Sequence, residues 1–266
     1  MMTSDTQEEA LVLKTQENGI VHLTLNRPRA RNALSQIMLE VLLAEFEAIA
    51  KDGSAAVVVL AGAGPAFCAG HDLKEMRATG YDPAYAEKLF ATCGALMQRI
   101  VSLPQPVIAR VHGIATAAGA QLVATCDLAI AADDTRFATP GVNIGFFCST
   151  PMVALSRNVS NKHALQMLLT GDLIDAPTAW RFGLVNEIVP ESELDAAVGA
   201  LAAKIASKSR HTLAIGKEAY YRQAELTLGE AYAYAQGVMV DNLQTLDAQE
   251  GITAFIDKRP PVWCHA

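Results

Sequence analysis

Two short segments of the chain combine small residues with a helix start, and both could supply backbone hydrogen-bond donors to a substrate. Residues 67–76 read FCAGHDLKEM, and residues 109–127 read ARVHGIATAAGAQLVATCD. Each pattern predicts a strand, a turn of small residues and the beginning of a helix. A helix N-terminus presents unpaired N–H groups and the positive end of a dipole. Two such ends that converge on one carbonyl oxygen would form an oxyanion hole.

The elements that would position these segments alternate between strands and helices. Alternating apolar residues around Asn18-Gly19 predict a hairpin, and Ser35 predicts the N-cap of a helix over 36–51. The other elements predicted before residue 190 are strands over 57–61, 106–111, 128–132, 136–139 and 184–189, and helices over 83–101 and from Asp175 to Gly183. The helices predicted after it cover 191–208, 210–225, 227–246 and 248–257. This pattern predicts an α/β fold of repeated ββα units over residues 8–190 and a helical region over 191–266.

The composition argues against several classes of protein. The 266 residues are 51% hydrophobic and 18% charged, and their net charge of −7 does not favour nucleic-acid binding. No apolar run approaches the ~18 residues of a membrane-spanning helix. The acidic N-terminus lacks the features of a secretory signal or a transit peptide. Five cysteines without a C-x-x-C pair predict reduced, buried thiols, and we therefore expect a cytoplasmic protein.

The two turns and several shorter motifs together resemble the crotonase (enoyl-CoA hydratase/isomerase) superfamily. Its turns read roughly F-x-A-G-A-D-[LI]-K-E-[ML] and N-G-x-A-x-G-G-G-x-E-[LA]-x-x-x-C-D. The shorter matching motifs, in the family's order, are residues 26–28 with 32–34, 169–172, 179–185, 249–255 and 258–260. The resemblance covers nearly the whole chain. It implies a crotonase (ClpP-like) spiral of ββα units and a C-terminal helical region that forms trimers, which in the family usually pair into hexamers.

The resemblance also implies which residues bind an acyl-CoA, the expected partner of the protein. The backbone N–H groups of His71 and Ala118 match those that hold the thioester carbonyl. Asn143 and Cys148 are placed to line the acyl pocket. The residues implied to contact the coenzyme A part are Arg27, Ala33, Ala69, Asp72, Leu73, Lys74, Phe255 and Lys258, the last two from a neighbouring subunit. The thioester is the substrate, and we expect no metal and no further cofactor.

The chain departs from the family pattern where a hydratase carries its two catalytic glutamates. Gln121 stands at the first position and Gly141 at the second, and neither exchanges a proton near neutral pH. A water or small anion beside Gly141 could replace the second carboxylate. The His71 imidazole could act as an acid or base, or it could only bind or shape the substrate. Cys148 could be a nucleophile, although no partner base is evident.

These observations lead to one leading expectation and two alternatives. We expect an enzyme that acts on a CoA thioester through a backbone oxyanion hole, in fatty-acid or related acyl-CoA metabolism. A different reaction of the same family, isomerisation or thioester hydrolysis, stays open because both hydratase glutamates are replaced. A protein that binds acyl-CoA without turning it over is the alternative from outside the enzymes.

Overall fold

The computed structural model describes residues 10–266. The N-terminal segment assessed above for targeting features, and the predicted start of the first region at residue 8, lie outside that part of the chain. The strands are β1 (Val12–Glu17), β2 (Ile20–Leu25), β3 (Val57–Gly62), β4 (Val107–Val111), β5 (Ile114–Thr116), β6 (Leu128–Ala132), β7 (Arg136–Ala138), β8 (Ile174–Asp175) and β9 (Glu187–Val189). The helices are α1 (Gln36–Ala50), α2 (Leu73–Ala78), α3 (Pro83–Ser102), α4 (Ala118–Thr125), α5 (Ser149–Asn158), α6 (Asn161–Thr170), α7 (Ala176–Phe182), α8 (Leu194–Ala206), α9 (Arg210–Gln223), α10 (Leu228–Leu243) and α11 (Leu246–Ile256).

The strands form two sheets that stand next to each other in the fold. The larger sheet has the order β1-β2-β3-β4-β6-β9, and its pairs are parallel except for the β1-β2 hairpin. The smaller sheet has the order β5-β7-β8, with β5 and β7 parallel. Because β4 belongs to one sheet and β5 to the other, the chain passes between sheets at residues 112–113. The second of the two small-residue turns follows directly after β5.

The larger sheet is covered on both faces, which explains the continuous apolar run of β3. Val58 and Leu60 belong to the main core, which also contains apolar residues of α1, α3 and α4. Val57 and Val59 face the other way and form a second cluster with Leu194 and other residues of α8. Alternate side chains of a strand point to opposite faces, so burial of both faces requires an apolar residue at every position.

Helices α8 and α9 attach the C-terminal residues to the sheet. The Lys217 side chain of α9 is 6% exposed, and its Nζ lies 2.6 Å from Oδ2 of Asp127. It also donates to the carbonyl oxygens of Ile100 and Gln105, while the Tyr221 hydroxyl donates to Asp127 Oδ1 over 2.8 Å. The division of the chain at residue 190 stays a prediction, and α8, which follows it, packs directly on strands that precede it.

Most of the locally encoded elements agree with the sequence-based predictions. Ser35 caps α1 by accepting a hydrogen bond from the Met38 N–H, and Asp175 caps α7 by accepting one from the Thr178 N–H. Strands β5 and β8 and helices α5 and α6 differ from the prediction, which did not include them, and β9 begins three residues later than expected. Within residues 10–266, no helix is long and apolar enough to cross a membrane, and no group of three or more His, Cys, Asp or Glu side chains is arranged to hold a metal ion.

Candidate active site

The two small-residue turns lie side by side and are joined by backbone hydrogen bonds. The Cys68 N–H donates to the Ile114 carbonyl over 3.1 Å, and the Thr116 N–H donates to the Cys68 carbonyl over 3.0 Å. These bonds form an isolated parallel bridge between Cys68 and Ala115. The Thr116 hydroxyl adds a bond to the Ala69 carbonyl. The turn that precedes α2 is therefore fixed against the turn that precedes α4.

Small residues are required at these turns because the two backbones approach each other closely. A Cβ atom added to Gly119 would collide with the Cys68 carbonyl oxygen. A Cβ atom on Gly70 would lie 2.9 Å from the Ala117 Cβ, and Gly70 also has a positive φ of 93°. The bridge at Cys68 and the space left by these two glycines together set the separation of the two helix starts.

Each turn contains one backbone N–H that no acceptor among the described residues meets. The Leu34 N–H donates to the Gly70 carbonyl, and the Asp72 N–H donates to the Leu34 carbonyl, so the His71 N–H between them lies outside this pairing. Ala118 is the first residue of α4, where an N–H has no partner within the helix. In residues 10–266, neither the His71 nor the Ala118 N–H has a hydrogen-bond acceptor. Both residues line the same cavity.

Ala117 holds an unusual backbone conformation between these donors. Its φ of 51° and ψ of −118° lie in a region that residues other than glycine rarely adopt. Its N–H donates to the Ala138 carbonyl. The conformation turns the chain from β5 into α4 within one residue. It thereby positions the Ala118 N–H at the cavity.

The cavity that contains both donors has a volume of about 500 Å³ and walls that are mainly apolar. Its lining includes Ala69, His71, Leu73, Phe90, Ala117, Ala118, Gly141, Asn143, Phe146, Phe147 and Cys148. Seven of the predicted site residues therefore come together here: Ala69, His71, Leu73, Ala118, Gly141, Asn143 and Cys148. The lining contributed by the described residues contains no carboxylate. The three phenylalanines are not among the predicted site residues, although the apolar face of α3 and the FF pair at 146–147 were signals for them in the sequence.

The His71 side chain is a polar group in this apolar surrounding. Both ring nitrogens are buried, and neither has a hydrogen-bond partner in the described part of the chain. The ring packs edge-to-face on Phe90, with 5.4 Å between the ring centroids. Burial lowers the pKa of His71 to about 4, although the Leu34 backbone opposes this change. The imidazole is therefore neutral at pH 7 and is a weak base.

The positions of the two replaced glutamates differ in their surroundings. Gln121 is buried on α4, where its Oε1 lies 4.0 Å from the Cys93 sulfur, and it is not part of the cavity lining. Gly141 does line the cavity, but a Cβ atom there would collide with the Phe146 carbonyl oxygen and would lie 2.9 Å from the Cys148 sulfur. The direction that a glutamate side chain would take from residue 141 is thus already filled by backbone.

Cys148 lines the cavity as expected but has the properties of a protonated thiol. Burial raises its pKa, and the Gly141 backbone only partly opposes this rise. A thiol is far less nucleophilic than a thiolate. Asn143 donates to the Gly171 carbonyl over 3.3 Å, which ties this wall of the cavity to the C-terminal end of α6.

The residues predicted to contact coenzyme A fall into three places. Ala69 and Leu73 belong to the cavity above, whereas Arg27 and Asp72 form an ion pair at 3.0 Å on a neighbouring cavity of about 550 Å³. The Arg27 guanidinium also donates to the Ala33 carbonyl, and the exposed Lys74 lies in the first turn of α2, which Asp72 caps. The third place is the C-terminal helical region, where Phe255 on α11 is 85% exposed and Lys258 follows the same helix.

The fold and the site together define a class of protein. Parallel ββα units that bring two unpaired backbone N–H groups to one apolar cavity are the arrangement of the crotonase fold. The sequence pattern of the enoyl-CoA hydratase/isomerase family matches residues 15–266, and the chain belongs to this family.

Individual relatives agree with this assignment. Enoyl-CoA hydratase domain-containing protein 3, mitochondrial, of Rattus norvegicus is 48% identical over 259 residues, which cover 97% of this chain and 86% of the rat protein. Crystal structures of an enoyl-CoA hydratase of Mycobacterium smegmatis and of human enoyl-CoA hydratase domain-containing protein 3 superpose with TM-scores of 0.94 and 0.93, at 54% and 46% identity. Each superposition covers 96% of this chain, with 99% and 100% of the respective neighbour. These matches show that the chain is similar over almost its whole length to enoyl-CoA hydratase domain-containing protein 3.

One sequence-based prediction is wrong. The vertebrate relatives, including the rat and human proteins, are named mitochondrial, and this overturns the expectation of a cytoplasmic protein. The expectation rested on the free cysteines, four of which are buried in the structure. Reduced thiols report the redox state of a compartment, and they do not distinguish between compartments that share that state.

Proposed function

We propose that the protein is an enzyme of acyl-CoA metabolism that binds a CoA thioester with its carbonyl oxygen between the N–H groups of His71 and Ala118. The observation that carries this proposal is that both N–H groups lack an acceptor in the described part of the chain and belong to residues of one cavity. A thioester enolate or a tetrahedral intermediate would place negative charge on that oxygen. Donors fixed in advance stabilise such charge without reorganising during the reaction.

The residues of the site do not favour hydration of an enoyl-CoA by two protein carboxylates. Gln121 and Gly141 replace both glutamates, and the described lining of the cavity contains no carboxylate. The neutral His71 ring is a poor substitute because its pKa lies near 4. We therefore favour a reaction in which the oxyanion hole provides most of the catalysis, such as isomerisation or thioester hydrolysis. In hydrolysis a bound water would attack the carbonyl carbon, the C–S bond would break, and the leaving CoA thiolate would take up the proton that the water loses.

A protein that binds acyl-CoA without turnover is the second candidate. The absence of a carboxylate from the described lining of the cavity favours it, since the oxyanion hole alone would then serve as a binding element. In either case the acyl chain would occupy the cavity of about 500 Å³, and Arg27 and Lys74 would lie toward the coenzyme.

Assembly into trimers or hexamers is part of the same proposal. Helix α10 carries exposed apolar residues, of which Leu228, Tyr232, Met239 and Leu243 are each more than half exposed in the single chain. Large apolar surfaces of this kind usually mark contacts between proteins. Phe255 and Lys258 would then reach the coenzyme of a neighbouring subunit.

The test is to measure binding and turnover of a panel of saturated and 2-enoyl CoA thioesters by the purified full chain. Ala118→Pro removes one donor, Ala118→Gly keeps that donor, and a melting curve checks that both variants are folded. We expect turnover to fall roughly 10²- to 10³-fold in Ala118→Pro and to persist in Ala118→Gly. Tight binding without turnover by the unaltered chain would establish the binding role, and no binding of any thioester would refute the proposal.

A further inference from the structure

His112, which directly follows β4, contacts the segment that leads into the first small-residue turn. The residue is 7% exposed, and its Nε2 lies 2.7 Å from the Gly64 carbonyl oxygen. Its backbone carbonyl accepts a hydrogen bond from the Phe67 N–H over 3.0 Å. His112 therefore holds residues 63–67, the entry segment, through its main chain and through its side chain.

Arg110 determines which ring nitrogen of His112 carries the proton. Arg110 Nη1 lies 3.1 Å from His112 Nδ1, and a guanidinium can only donate. Nδ1 is therefore the acceptor, and the proton of the neutral ring is on Nε2, which donates to the Gly64 carbonyl. Arg110 is fixed in turn because its Nε donates to Asp195 in the first turn of α8. Three side chains thus connect α8 to the entry segment by hydrogen bonds of defined direction.

The bond to Gly64 is not duplicated by the other contacts of the entry segment. Among residues 10–266, the Gly64 carbonyl accepts no hydrogen bond except the one from His112. The Asn32 side chain donates to the neighbouring carbonyls of Ala63 and Ala66, over 2.9 and 2.7 Å. Loss of the imidazole would therefore release Gly64, while the residues on either side would stay attached.

Both small-residue turns begin close to His112. The first turn follows the entry segment, and the second follows β5, which starts two residues after His112. A Cβ atom on Gly113 would lie 2.2 Å from the Pro65 carbonyl oxygen, so the two backbones are in direct contact here. A shift of the entry segment against β5 would therefore change the separation of the His71 and Ala118 N–H groups.

We infer that His112 is a positioning residue, which holds the first turn through its bond to Gly64 at the separation from the second turn that the two backbone donors require. The inference rests on the proposed function, since it requires that both donors bind one carbonyl oxygen. His112 is not among the described residues that line the cavity, and it acts on the ligand only through the backbone.

The experiment uses a butyryl-CoA analogue in which a methylene group replaces the thioester sulfur. The analogue keeps the carbonyl group and cannot be hydrolysed. Hydrogen bonds to the carbonyl oxygen lower its infrared stretching frequency, which therefore reports on the two backbone donors. His112→Met and His112→Gln form a matched pair, because both side chains are unbranched and similar in length, but only glutamine can donate to the Gly64 carbonyl.

The bound analogue should show a lower carbonyl frequency with the unaltered full chain than it shows in water. His112→Met should reverse most of this decrease and weaken binding about fivefold, the effect of one hydrogen bond. His112→Gln should keep both values close to those of the unaltered chain. His163→Met is the control, since the His163 ring stacks on Phe182 and lies outside the cavity lining. It should change neither value.

The outcomes separate the inference from the function on which it rests. If His112→Met lowers the melting temperature but leaves the carbonyl frequency unchanged, the role of His112 is only structural and the inference is wrong. It is also wrong if His112→Gln loses as much as His112→Met. If the methionine variant does not fold, His112→Asn takes its place with the same expected loss, because its shorter amide does not reach Gly64.

If the unaltered chain does not bind the analogue, or binds it without lowering the carbonyl frequency, the proposed function fails and the inference fails with it. A change confined to the His112 variants leaves the proposed function in place.

Discussion

The carbonyl oxygen of Phe146 occupies the place where a Cβ atom of residue 141 would stand. The Phe146 N–H also donates to the Gly141 carbonyl over 2.9 Å, so the two backbones are joined as well as close. Residue 141 is thus glycine for a packing reason, in addition to lacking a catalytic carboxylate. Restoring a glutamate at this position would require the segment around Phe146 to move.

The first prediction concerns this contact. Gly141→Ala should lower the free energy of unfolding by about 1–3 kcal/mol, because the new methyl group forces the backbone apart. Chemical denaturation measures the effect. Gly94→Ala is the matched control: it lies in α3 with open space around it, and it should stabilise the protein by roughly 0.4–1 kcal/mol. A Gly141→Ala variant as stable as the unaltered chain would contradict the close contact.

Ala117 provides a second prediction, of opposite sign. Its φ of 51° and ψ of −118° strain an alanine, and glycine adopts such angles readily. Ala117→Gly should therefore stabilise the protein by about 1 kcal/mol, since the relieved strain exceeds the entropy that glycine adds to the unfolded chain. The control is Ala118→Gly, because Ala118 is the neighbouring residue and lies in the helix. This substitution should slightly destabilise the protein, and thermal melting of the two variants gives the comparison. Equal losses in both variants would show that Ala117 is not strained.

The buried histidine predicts a pH dependence of stability. The pKa of His71 is about 4 in the folded protein, against about 6.5 for an imidazole in the unfolded chain. The unfolded chain therefore binds a proton that the folded protein does not, and stability falls as the pH drops from about 6.5 toward 4. The free energy of unfolding is measured by denaturation at pH 7.5 and at pH 4.5. Between these two pH values, the decrease should be on the order of 2–3 kcal/mol smaller in His71→Phe than in the unaltered protein. Parallel losses would show that His71 is not the group responsible.

The buried Lys217–Asp127 pair predicts a large effect far from the cavity. Lys217→Met should cost about 3 kcal/mol or more, because Asp127 would stay buried without its cation. Lys88→Met is the control, since that lysine pairs with Glu40 at the surface with 63% of its side chain exposed, and it should change stability by less than about 1 kcal/mol. Urea denaturation of both variants gives the comparison. Similar effects would mean that α9 does not depend on this pair for its attachment.

The parts of the fold that the sequence predicts correctly are those determined by neighbouring residues. The hairpin at Asn18-Gly19 follows from a turn in which both residues have positive φ, and α7 follows from its cap at Asp175 and its end at Gly183. Strand β5 has only three residues and exists because it pairs with β7, some twenty residues later in the chain. The sequence of β5 therefore cannot be distinguished from the small-residue turn that follows it, and it does not predict a strand.

The site shows the same distinction. The two backbone donors follow from the turn motifs, because small residues and helix starts are visible in the sequence. The crowding at Gly141 depends on a carbonyl five residues away, and the burial of the His71 ring depends on Phe90 of α3. Neither contact has a local signature, and so the sequence alone leaves room for a water or small anion beside Gly141 and for an acid–base role of His71.

The bridge between Cys68 and Ala115 has a consequence for how such a site could change over generations. It joins the two turns that carry the donors through main-chain hydrogen bonds. A substitution at residue 71 or 118 that keeps the backbone N–H and fits the available space therefore leaves the charge-stabilising element intact. A lineage that carries this bridge can lose one reaction and acquire another without passing through a form in which the thioester is no longer held.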